Sequence, residues 1–384
     1  MFDTARLICF GARFAARYLP PTLSFSNYKV VFRWADVADV LARDGDFRIA
    51  PVNQKRIEGV MGPFILGMDR SRELFAQRVA VYDAMKSADF APIRHILATE
   101  PIELLNAAVA RDGQIDVVGG YARKVAGHVA TALFGISGPS EDDLLRVARA
   151  VFHETFLNLT DDEKIRAAGV AAGNELEAWI AAEREARLTS GKFGHDVLGR
   201  LLELEQAKTI TGAEVGHVLA GLLVGSIDTT ATAVSNIVVE ILSDWALAEN
   251  IRRDLDDRRR LYGWCWEALR RRPHNPVLFR EAVEGATIGG EPVAAGTRVV
   301  AFTLAAMQDE RVFDRPETLD PGRPPHLYMH FGRGMHECAG RDVNALQIPA
   351  LIAALMRFNP SGRVKVKNAG PFPDQFFVRI GRPQ

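Results

Sequence analysis

The sequence predicts a mainly α-helical protein of the α+β class, and three observations support this prediction. Apolar patterns with a helical period run from about residue 70 to residue 257, interrupted by short polar turns such as "GISGPSEDD". Short β-branched runs broken by glycine and proline lie near the N-terminus and after residue 273. No internal repeat or low-complexity linker divides the chain, so we expect a single domain over residues 1–384.

Two kinds of sequence pattern, one typical of strands and one typical of helices, alternate within this expected domain. The small β-rich part is expected at about residues 22–66, 274–302 and 361–384, and the helical part at about 67–273 and 303–360. The helical pattern therefore covers most of the chain.

The N-terminal stretch predicts a short amphipathic helix that stops at Pro20-Pro21. Arg6, Arg13 and Arg17 interrupt its apolar run well before the roughly 20 residues that a bilayer span requires, so we expect no transmembrane segment. Shallow contact with lipid remains an alternative, because basic amphipathic helices can lie on membranes.

Local signals place four further features in chain order. The β-branched run 28–32 predicts a strand, and residues 35–43 predict a helix. Ser140 with Asp143 is typical of a capping box that opens a helix. A long apolar helix is expected from about residue 211 to residue 244.

Composition excludes several classes of protein. The chain is 48% apolar and 25% charged with a formal net charge of −1, so it is neither disordered nor polybasic, and we expect no nucleic-acid partner. Its three cysteines, Cys9, Cys265 and Cys338, are too few and too scattered for a disulfide framework. This usage indicates a reducing, cytoplasmic compartment.

One segment has the residues of a metal-binding or reactive cysteine site. "HFGRGMHECAGRDV", residues 330–343, presents Cys338 in a glycine-rich turn just before a helical pattern. Free N–H groups and the helix dipole lower the pKa of a cysteine at such a position, which prepares the sulfur to bind a metal or act as a nucleophile. An inert buried cysteine is one alternative. A zinc site with His330 and His336 is another, although the spacing fits no usual zinc pattern.

The same segment resembles the haem-binding signature of the cytochrome P-450 family. The matching residues are Phe331, Gly334, His336, Cys338 and Gly340, in the pattern F-x-x-G-x-H-x-C-x-G.

Other motifs of that family occur in the family's order. "EALR" provides Glu267 and Arg270, which resemble the buried Glu-x-x-Arg pair, and "VFDRPETLDPGR" resembles the meander that precedes the haem loop. "GLLVGSIDTTATAV" resembles the centre of the distal helix, with Asp228 and Thr229 at the acid and alcohol positions. The resemblance covers nearly the whole chain, from "VVFRWADVADVLARDGDF" to "FPDQFFVRIG".

The resemblance implies a cytochrome P-450 fold around a buried haem b, iron protoporphyrin IX. Cys338 is then the axial thiolate, which favours O–O cleavage by pushing electron density onto the iron. The other residues implied at the haem are Phe331, Gly332, Gly340 and Gly225, with His336 and Arg280 as propionate partners. The implied substrate pocket includes Leu222, Val277, Leu278 and Phe372.

The distal helix carries the implied catalytic pair. Thr229 is expected to donate a hydrogen bond during dioxygen activation, and Asp228 to supply protons through water. Gly225 lies four residues earlier on the same helix face, and a helix glycine costs about 1 kcal/mol relative to alanine, so space for dioxygen would explain it. The family usually has glycine where this chain has Ser226.

Two further positions depart from the family pattern. Glu73 and Gln77 stand where the family often carries His and Arg for the propionates, and Arg72 or Arg78 are possible substitutes. The family often completes the Glu-x-x-Arg pair with a second arginine, for which Arg323 is a nearby candidate.

The implied function is that of a monooxygenase acting on an apolar small molecule. No flavin or ferredoxin module fits in this length, so electrons are expected from a separate ferredoxin or flavodoxin with its reductase. Arg333 and Arg341 are candidates for the docking face. The variable segments 50–66 and 154–169 are expected to be loops that set specificity.

Three alternatives remain open. A partner-independent haem-thiolate peroxygenase or isomerase would share the cysteine site but usually lacks the acid–alcohol pair. A protein of another class would hold haem or a ligand without turnover. A helical scaffold with no cofactor requires every motif match to be accidental.

Overall fold

The computed structural model describes residues 4–369 and 372–383, and α-helices dominate this part of the chain. The helices are α1 (Thr4–Tyr18), α2 (Trp34–Ala42), α3 (Ala50–Met61), α4 (Arg72–Ser87), α5 (Ala91–Arg111), α6 (Arg123–Phe134), α7 (Glu141–Phe152), α8 (Glu163–Ser190), α9 (Val197–Gln206), α10 (Gly212–Ser243), α11 (Trp245–Arg253), α12 (Arg258–Arg271), α13 (Thr303–Ala306) and α14 (Arg341–Arg357).

The strands are short and form four small sheets among the described residues. They are β1 (Thr22–Phe25), β2 (Tyr28–Val31), β3 (Phe47–Arg48), β4 (Gln114–Asp116), β5 (Leu278–Ala282), β6 (Thr287–Ile288), β7 (Glu291–Pro292), β8 (Arg298–Ala301), β9 (Lys367–Ala369), β10 (Phe372–Gln375) and β11 (Phe377–Arg379). The prediction of a mainly helical α+β protein is therefore confirmed.

The chain forms two compact units. The first comprises residues 1–52, 236–341 and 362–364, within the described part of the chain. It contains a five-stranded sheet with the order β1-β2-β8-β5-β3, in which β2 and β8 are parallel and the other neighbours antiparallel. Helix α12 and the turn that holds Cys338 belong to the same unit.

The second unit comprises residues 53–235, 342–361 and 365–384, again within the described part. It contains α4 to α9 and most of α10 and α14. The buried Tyr121 hydroxyl donates to the Leu351 carbonyl over 2.7 Å and so ties the π turn Val117–Ala122 to α14. Burial raises the pKa of Tyr121, which keeps this phenol a neutral donor.

Helix α10 forms a core element. Among the described residues it is the one helix long and apolar enough to cross a membrane, but 78% of its most apolar window is buried inside the protein. An apolar helix that is covered by its own chain is a core helix.

Several local predictions agree with the structure. Strand β2, helix α2 and helix α10 lie within one residue of their predicted limits. Ser140 caps α7 by accepting from the Asp143 N–H over 3.2 Å, and its hydroxyl donates to the Asp143 carboxylate over 2.7 Å.

The prediction of loops at residues 50–66 and 154–169 is wrong. Residues 50–61 form α3, because Ile57, Val60 and Met61 recur at helical spacing and are buried together. A π turn at His153–Leu157 continues α7, and α8 begins at Glu163.

Candidate active site

The turn before α14 holds Cys338 by its backbone. The Cys338 N–H donates to the Phe331 carbonyl over 2.8 Å, which closes the glycine-rich loop. The Gly340 N–H points at the sulfur, with its nitrogen 3.3 Å from Sγ. The thiol side chain itself is exposed. The loop therefore presents the sulfur as an accessible group with one donor directed at it.

Two glycines of this loop have the left-handed backbone conformation. Gly332 has φ +66° and Gly334 has φ +75°. A Cβ atom at Gly334 would lie 2.5 Å from the Leu41 carbonyl oxygen, so a side chain cannot fit there. At Gly332 the nearest atoms to such a Cβ are 3.8 Å away and include Cδ1 of Leu278. Glycine is thus required at 334 for space and at both positions for backbone shape.

The protein environment alone does not favour the Cys338 thiolate. Desolvation raises the pKa of Cys338, and the hydrogen bond from Gly340 lowers it by a smaller amount. The expectation of a lowered pKa is wrong for the polypeptide by itself, because one N–H group does not offset the loss of water. A bound metal ion would favour the thiolate of Cys338, since metal coordination deprotonates a thiol.

The donor set fits a haem iron better than a metal site built by the protein. No group of three or more His, Cys, Asp and Glu side chains able to hold a metal occurs among residues 4–369 and 372–383. The zinc alternative with His330, His336 and Cys338 is therefore not supported. A single accessible thiol suits a metal whose other ligands come from a cofactor.

Behind the turn, Glu267 and Arg270 form a fully buried pair with 0% exposure of both side chains. Two guanidinium N–H groups donate to the carboxylate over 2.9 Å each. The Tyr328 hydroxyl and the Asp320 N–H add donors at 2.8 and 3.0 Å, and Nε of Arg323 lies 3.5 Å away. Arg323 thus occupies the place suggested for the third partner. Sequence reasoning missed Tyr328, whose pKa is raised by burial and by Glu267.

Aromatic packing connects α12 to the cysteine loop. The ring of Phe331 lies 5.8 Å from that of Trp266, between centroids, and the Arg341 guanidinium lies 5.9 Å from the Phe331 ring. Arg341 also pairs with Glu337. A ring nitrogen of His330 lies 3.1 Å from the Trp266 carbonyl. These contacts fix Phe331, the residue whose carbonyl holds Cys338.

The remaining predicted residues of this unit lie on β5 and in the loop. Arg280 is buried and donates to the Phe279 carbonyl over 2.8 Å. His336 is buried in the single turn Gly334–His336. Val277 and Leu278 are half-buried at the start of β5.

The centre of α10 has free space on one side. A Cβ atom at Gly225 would meet no atom within 4 Å, although Val224 and Ile227 are fully buried. Leu222 is also buried. The Thr229 hydroxyl donates to the Gly225 carbonyl over 2.6 Å. Gly225 and Thr229 therefore share a face next to this space, as their spacing predicts.

Asp228 is clamped by two arginines. Its carboxylate is 3% exposed; Oδ1 accepts from Nε of Arg149 over 2.8 Å and lies 3.0 Å from Nε of Arg123. Arg149 also donates to Asp374 over 3.0 Å. Burial lowers the pKa of Arg123, and Asp228 offsets part of that effect. Sequence reasoning missed both arginines, because no local pattern reports a partner 79 positions away.

A cleft of about 470 Å³ opens beside this clamp and is lined by Arg123, Arg149, His153, Lys164 and Asp374 among others. The second carboxylate oxygen of Asp228 is buried and accepts no hydrogen bond from the described residues. It is thus available to a water or another donor.

Helix α4 holds Glu73 and Gln77, the two residues that stand where the family often carries His and Arg. Glu73 is exposed, and its own N–H and the Ser71 hydroxyl lower its pKa. Gln77 is buried, and its amide donates to the Pro63 carbonyl over 3.0 Å. Arg78 lies over the Tyr82 ring at 4.3 Å. Phe372 begins β10, and its side chain lies outside the described part of the chain.

Comparisons with known proteins identify the family of the chain. The family model "Cytochrome P450" matches residues 151–361. Mycinamicin IV hydroxylase/epoxidase of Micromonospora griseorubida is 26% identical over 348 residues, which cover 88% of this chain and 83% of that protein. The putative cytochrome P450 YjiB of Bacillus subtilis (strain 168) is 32% identical over 187 residues, 48% of this chain, and the match spans about half (46%) of that relative's length.

Solved structures show the same fold. The crystal structure of CalO2 superposes with a TM-score of 0.85 at 22% identity, covering 99% of this chain and 98% of that one. Substrate-free CYP109E1 from Bacillus megaterium gives a TM-score of 0.82 at 23% identity, covering 98% and 99%.

The family match and the relatives together make the protein a monooxygenase of the oxidoreductase class. The family model matches more than half of the residues, and the chain belongs to the cytochrome P450 family. Membership of this family implies a haem cofactor.

Proposed function

We propose that the protein is a haem-thiolate monooxygenase that hydroxylates or otherwise oxidises an apolar small molecule with dioxygen. The observation that supports this most is the accessible Cys338 thiol, held by the Phe331 carbonyl and faced by the Gly340 N–H. When bound, haem b with a thiolate ligand supplies the chemistry of O–O cleavage. Residues 1–384 form one such domain in this proposal.

The residues around the turn have distinct roles in this proposal. Cys338 is the iron ligand, and His336 and Arg280 bind the propionates. Phe331 shields the sulfur from water, since its ring is fixed against Trp266. The small residues Gly332 and Gly340 leave room for a flat cofactor, and the space beside Gly225 on α10 is suited to dioxygen.

The acid–alcohol pair delivers protons. The Thr229 hydroxyl donates to the Gly225 carbonyl, so its oxygen lone pairs are available to accept a hydrogen bond and its proton can be redirected by rotation about the Cβ–Oγ1 bond. Asp228 holds a buried charge that Arg123 and Arg149 compensate. Its free oxygen is the group that exchanges protons with water from the adjoining cleft.

Relatives support an apolar substrate and external electron donors. One is named a hydroxylase/epoxidase, and neighbouring solved structures contain corticosterone, testosterone or epothilone B. We propose a ligand of similar apolar character. Electrons come from a ferredoxin or flavodoxin with its reductase, and the protein is cytoplasmic.

The two arginines proposed for the docking face that receives the electron donor already contact other groups of the protein. Arg333 donates to the His326 carbonyl over 2.8 Å and lies 5.0 Å over the Trp34 ring. Arg341 pairs with Glu337. Arg341 can still contribute charge to a docking face, because exposed ion pairs exchange partners readily, and the two groups that Arg333 contacts here carry no charge.

The absorption spectrum of the reduced, carbon monoxide-bound protein tests the thiolate assignment. We expect a strongly red-shifted Soret band that disappears in Cys338→Ser and persists in Cys9→Ser, the matched control for loss of a thiol elsewhere. A band typical of histidine-ligated haem, or no haem after haem-supplemented expression, would contradict the assignment.

Turnover assays separate the remaining alternatives. Product that requires NADPH and the two donor proteins supports the monooxygenase. Product formed with hydrogen peroxide alone supports the peroxygenase, rearrangement of an oxidised lipid without a reductant supports the isomerase, and haem loading without any product supports a binding protein.

A further inference from the structure

Exposed apolar side chains concentrate in one short part of the chain. Of the thirteen large hydrophobic side chains that are exposed in the described part, six lie between residues 10 and 28. They are Phe10 (59% exposed), Phe14 (49%), Tyr18 (63%), Leu23 (37%), Phe25 (58%) and Tyr28 (42%). We refer to these six side chains as the N-terminal aromatic surface.

Helix α1 turns its largest side chains to the outside. Phe10, Phe14 and Tyr18 are spaced by four residues, so they share one face of the helix. The small residues Ala12 and Ala15 lie on the buried face and pack in a core cluster with Phe32, Leu304 and Ala305. An ordinary surface helix buries its large apolar residues and exposes polar ones. The arrangement in α1 is the reverse and calls for an apolar neighbour outside the protein.

The β1–β2 hairpin extends this surface. Phe25 and Tyr28 are directly paired across the two strands, and their rings stack with centroids 5.7 Å apart. Tyr28 and Val30 point to the same side of β2, and Val30 packs against the core cluster beneath α1. The hairpin aromatics therefore lie on the side of the sheet that α1 covers.

The chain segment that carries this surface has side-chain charges of one sign only. Between residues 4 and 35 the chain has five basic residues and no acidic residue, whereas the whole chain has a net charge of −1. The five are Arg6, Arg13, Arg17, Lys29 and Arg33.

Two of these arginines lie beside the exposed rings. The Arg13 guanidinium is 5.8 Å from the Phe10 ring, and that of Arg17 is 5.1 Å from the Tyr18 ring. Each also pairs with a partly exposed glutamate from the 310–317 segment. Such exposed pairs are weak, so the arginines can exchange these carboxylates for external phosphate groups.

We propose that the N-terminal aromatic surface binds the headgroup region of an anionic lipid membrane as a peripheral contact. Aromatic rings interleaved with arginines are suited to the boundary between headgroups and acyl chains, and anionic lipid supplies the complementary charge. Helix α1 has 15 residues, too few to cross a bilayer, so it lies in the interface.

Vesicle co-sedimentation of the full-length, haem-loaded protein tests this proposal. Two kinds of vesicle are compared, phosphatidylcholine alone and an equal mixture of phosphatidylcholine with phosphatidylglycerol. We expect binding to the mixed vesicles that weakens as salt is added. The triple variant Phe10→Ser, Phe14→Ser, Tyr18→Ser should lower the partition coefficient by about tenfold or more, because it removes three interfacial rings.

The control is Trp245→Ser, which removes the most exposed aromatic side chain among the described residues of the same unit, 77% exposed on α11. It should bind vesicles like the unmodified protein. An unchanged haem spectrum and circular dichroism show that the triple variant is folded.

Three results would overturn the proposal. The first is absence of binding to both kinds of vesicle, and the second is equal binding by the triple variant. The third is evidence that the surface binds a different partner and no vesicle. Concentration-dependent dimers that the triple variant abolishes would assign the surface to a second copy of the chain. Slower reduction of the triple variant by the electron donor would assign it to that donor, an acidic protein.

Discussion

Nε of Arg149 donates to Oδ1 of Asp228 over 2.8 Å, so the acid of the proposed proton-delivery pair is held by an arginine from a different helix. The carboxylate is buried, and a buried carboxylate needs a compensating partner. Arg149 also contacts Asp374 on β10 and therefore links Asp228 to the protein surface. The position of the acid depends on α7 and β10 as well as on α10.

Removing this partner should destabilise the protein. We expect Arg149→Leu to lower the free energy of unfolding by about 1–3 kcal/mol, less than a fully uncompensated buried charge because Arg123 remains. The control is Arg146→Leu on the same helix, whose exposed pairs with Asp143 and Glu175 contribute about 0–1 kcal/mol. Urea unfolding measures both, and equal losses would show that Arg149 is only a surface residue.

Substitution in the Glu267 cluster should destabilise the protein more than substitution of Arg149. Glu267→Ala leaves the fully buried Arg270 without its carboxylate, so we expect a loss of about 3–5 kcal/mol and poor haem incorporation. Glu267→Gln keeps the side-chain shape and one hydrogen-bond acceptor, so its free energy of unfolding should fall by less. Glu317→Ala, at an exposed pair with Arg13, is the control. Folded yield and haem content per chain are the measurements, and a stable, fully loaded Glu267→Ala would contradict the prediction.

Loss of the Thr229 hydroxyl should separate electron consumption from product formation. If Thr229 directs protons during dioxygen activation, Thr229→Ala consumes NADPH but forms less product and releases more hydrogen peroxide. Thr229→Ser retains the hydroxyl and should restore most of the coupling. The ratio of product to NADPH consumed is measured for the three proteins. Equal ratios would mean that this hydroxyl is not used.

The sequence predicts well the features that are local in the chain. The Cys338 turn, the Glu267–Arg270 pair and the Gly225–Thr229 face are each set by a spacing of a few residues, and the structure shows the contacts expected of them.

Features that depend on tertiary packing were not predictable. Arg149 and Tyr328 reach their carboxylates across 79 and 61 positions, and single-sequence patterns carry no such information. The sign of the Cys338 pKa shift was wrong, because desolvation depends on the surrounding chain rather than on the turn. Helix α3 was missed since only three apolar residues mark its buried face.

Ser226, which replaces a usual family glycine, should affect stability more than oxygen chemistry. Its hydroxyl donates to the Leu223 carbonyl over 2.7 Å within its own helix. We expect Ser226→Gly to cost about 0.5–1 kcal/mol through helix propensity and to leave coupling unchanged. Ser235→Gly is the control on the same helix, since its hydroxyl also donates to a backbone carbonyl of that helix, that of Ala231 over 2.7 Å. A large change in coupling would show that the Ser226 hydroxyl acts in the oxygen site.

His330 should make the protein sensitive to acid. Desolvation, reinforced by the charges of His274 and Arg270, lowers the pKa of His330 to about 3, while a backbone bond to Trp266 acts in the opposite direction. The unfolded chain has the ordinary histidine pKa of about 6.5 and therefore binds more protons between these two values. Stability from this residue is complete above pH 6.5 and falls as the pH is lowered towards 3.

The acid sensitivity of His330 can be isolated by substitution. At pH 5 the loss amounts to about 2 kcal/mol at most, 1.36 kcal/mol for each pH unit. His330→Gln keeps a donor for the Trp266 carbonyl and does not titrate, so its free energy of unfolding should change less between pH 7 and pH 5 than that of the unmodified protein. His195→Gln, at an exposed histidine, is the control for the loss of an imidazole elsewhere in the chain. Parallel pH profiles for the unmodified protein and His330→Gln would mean that His330 is protonated in the folded state as readily as in the unfolded chain.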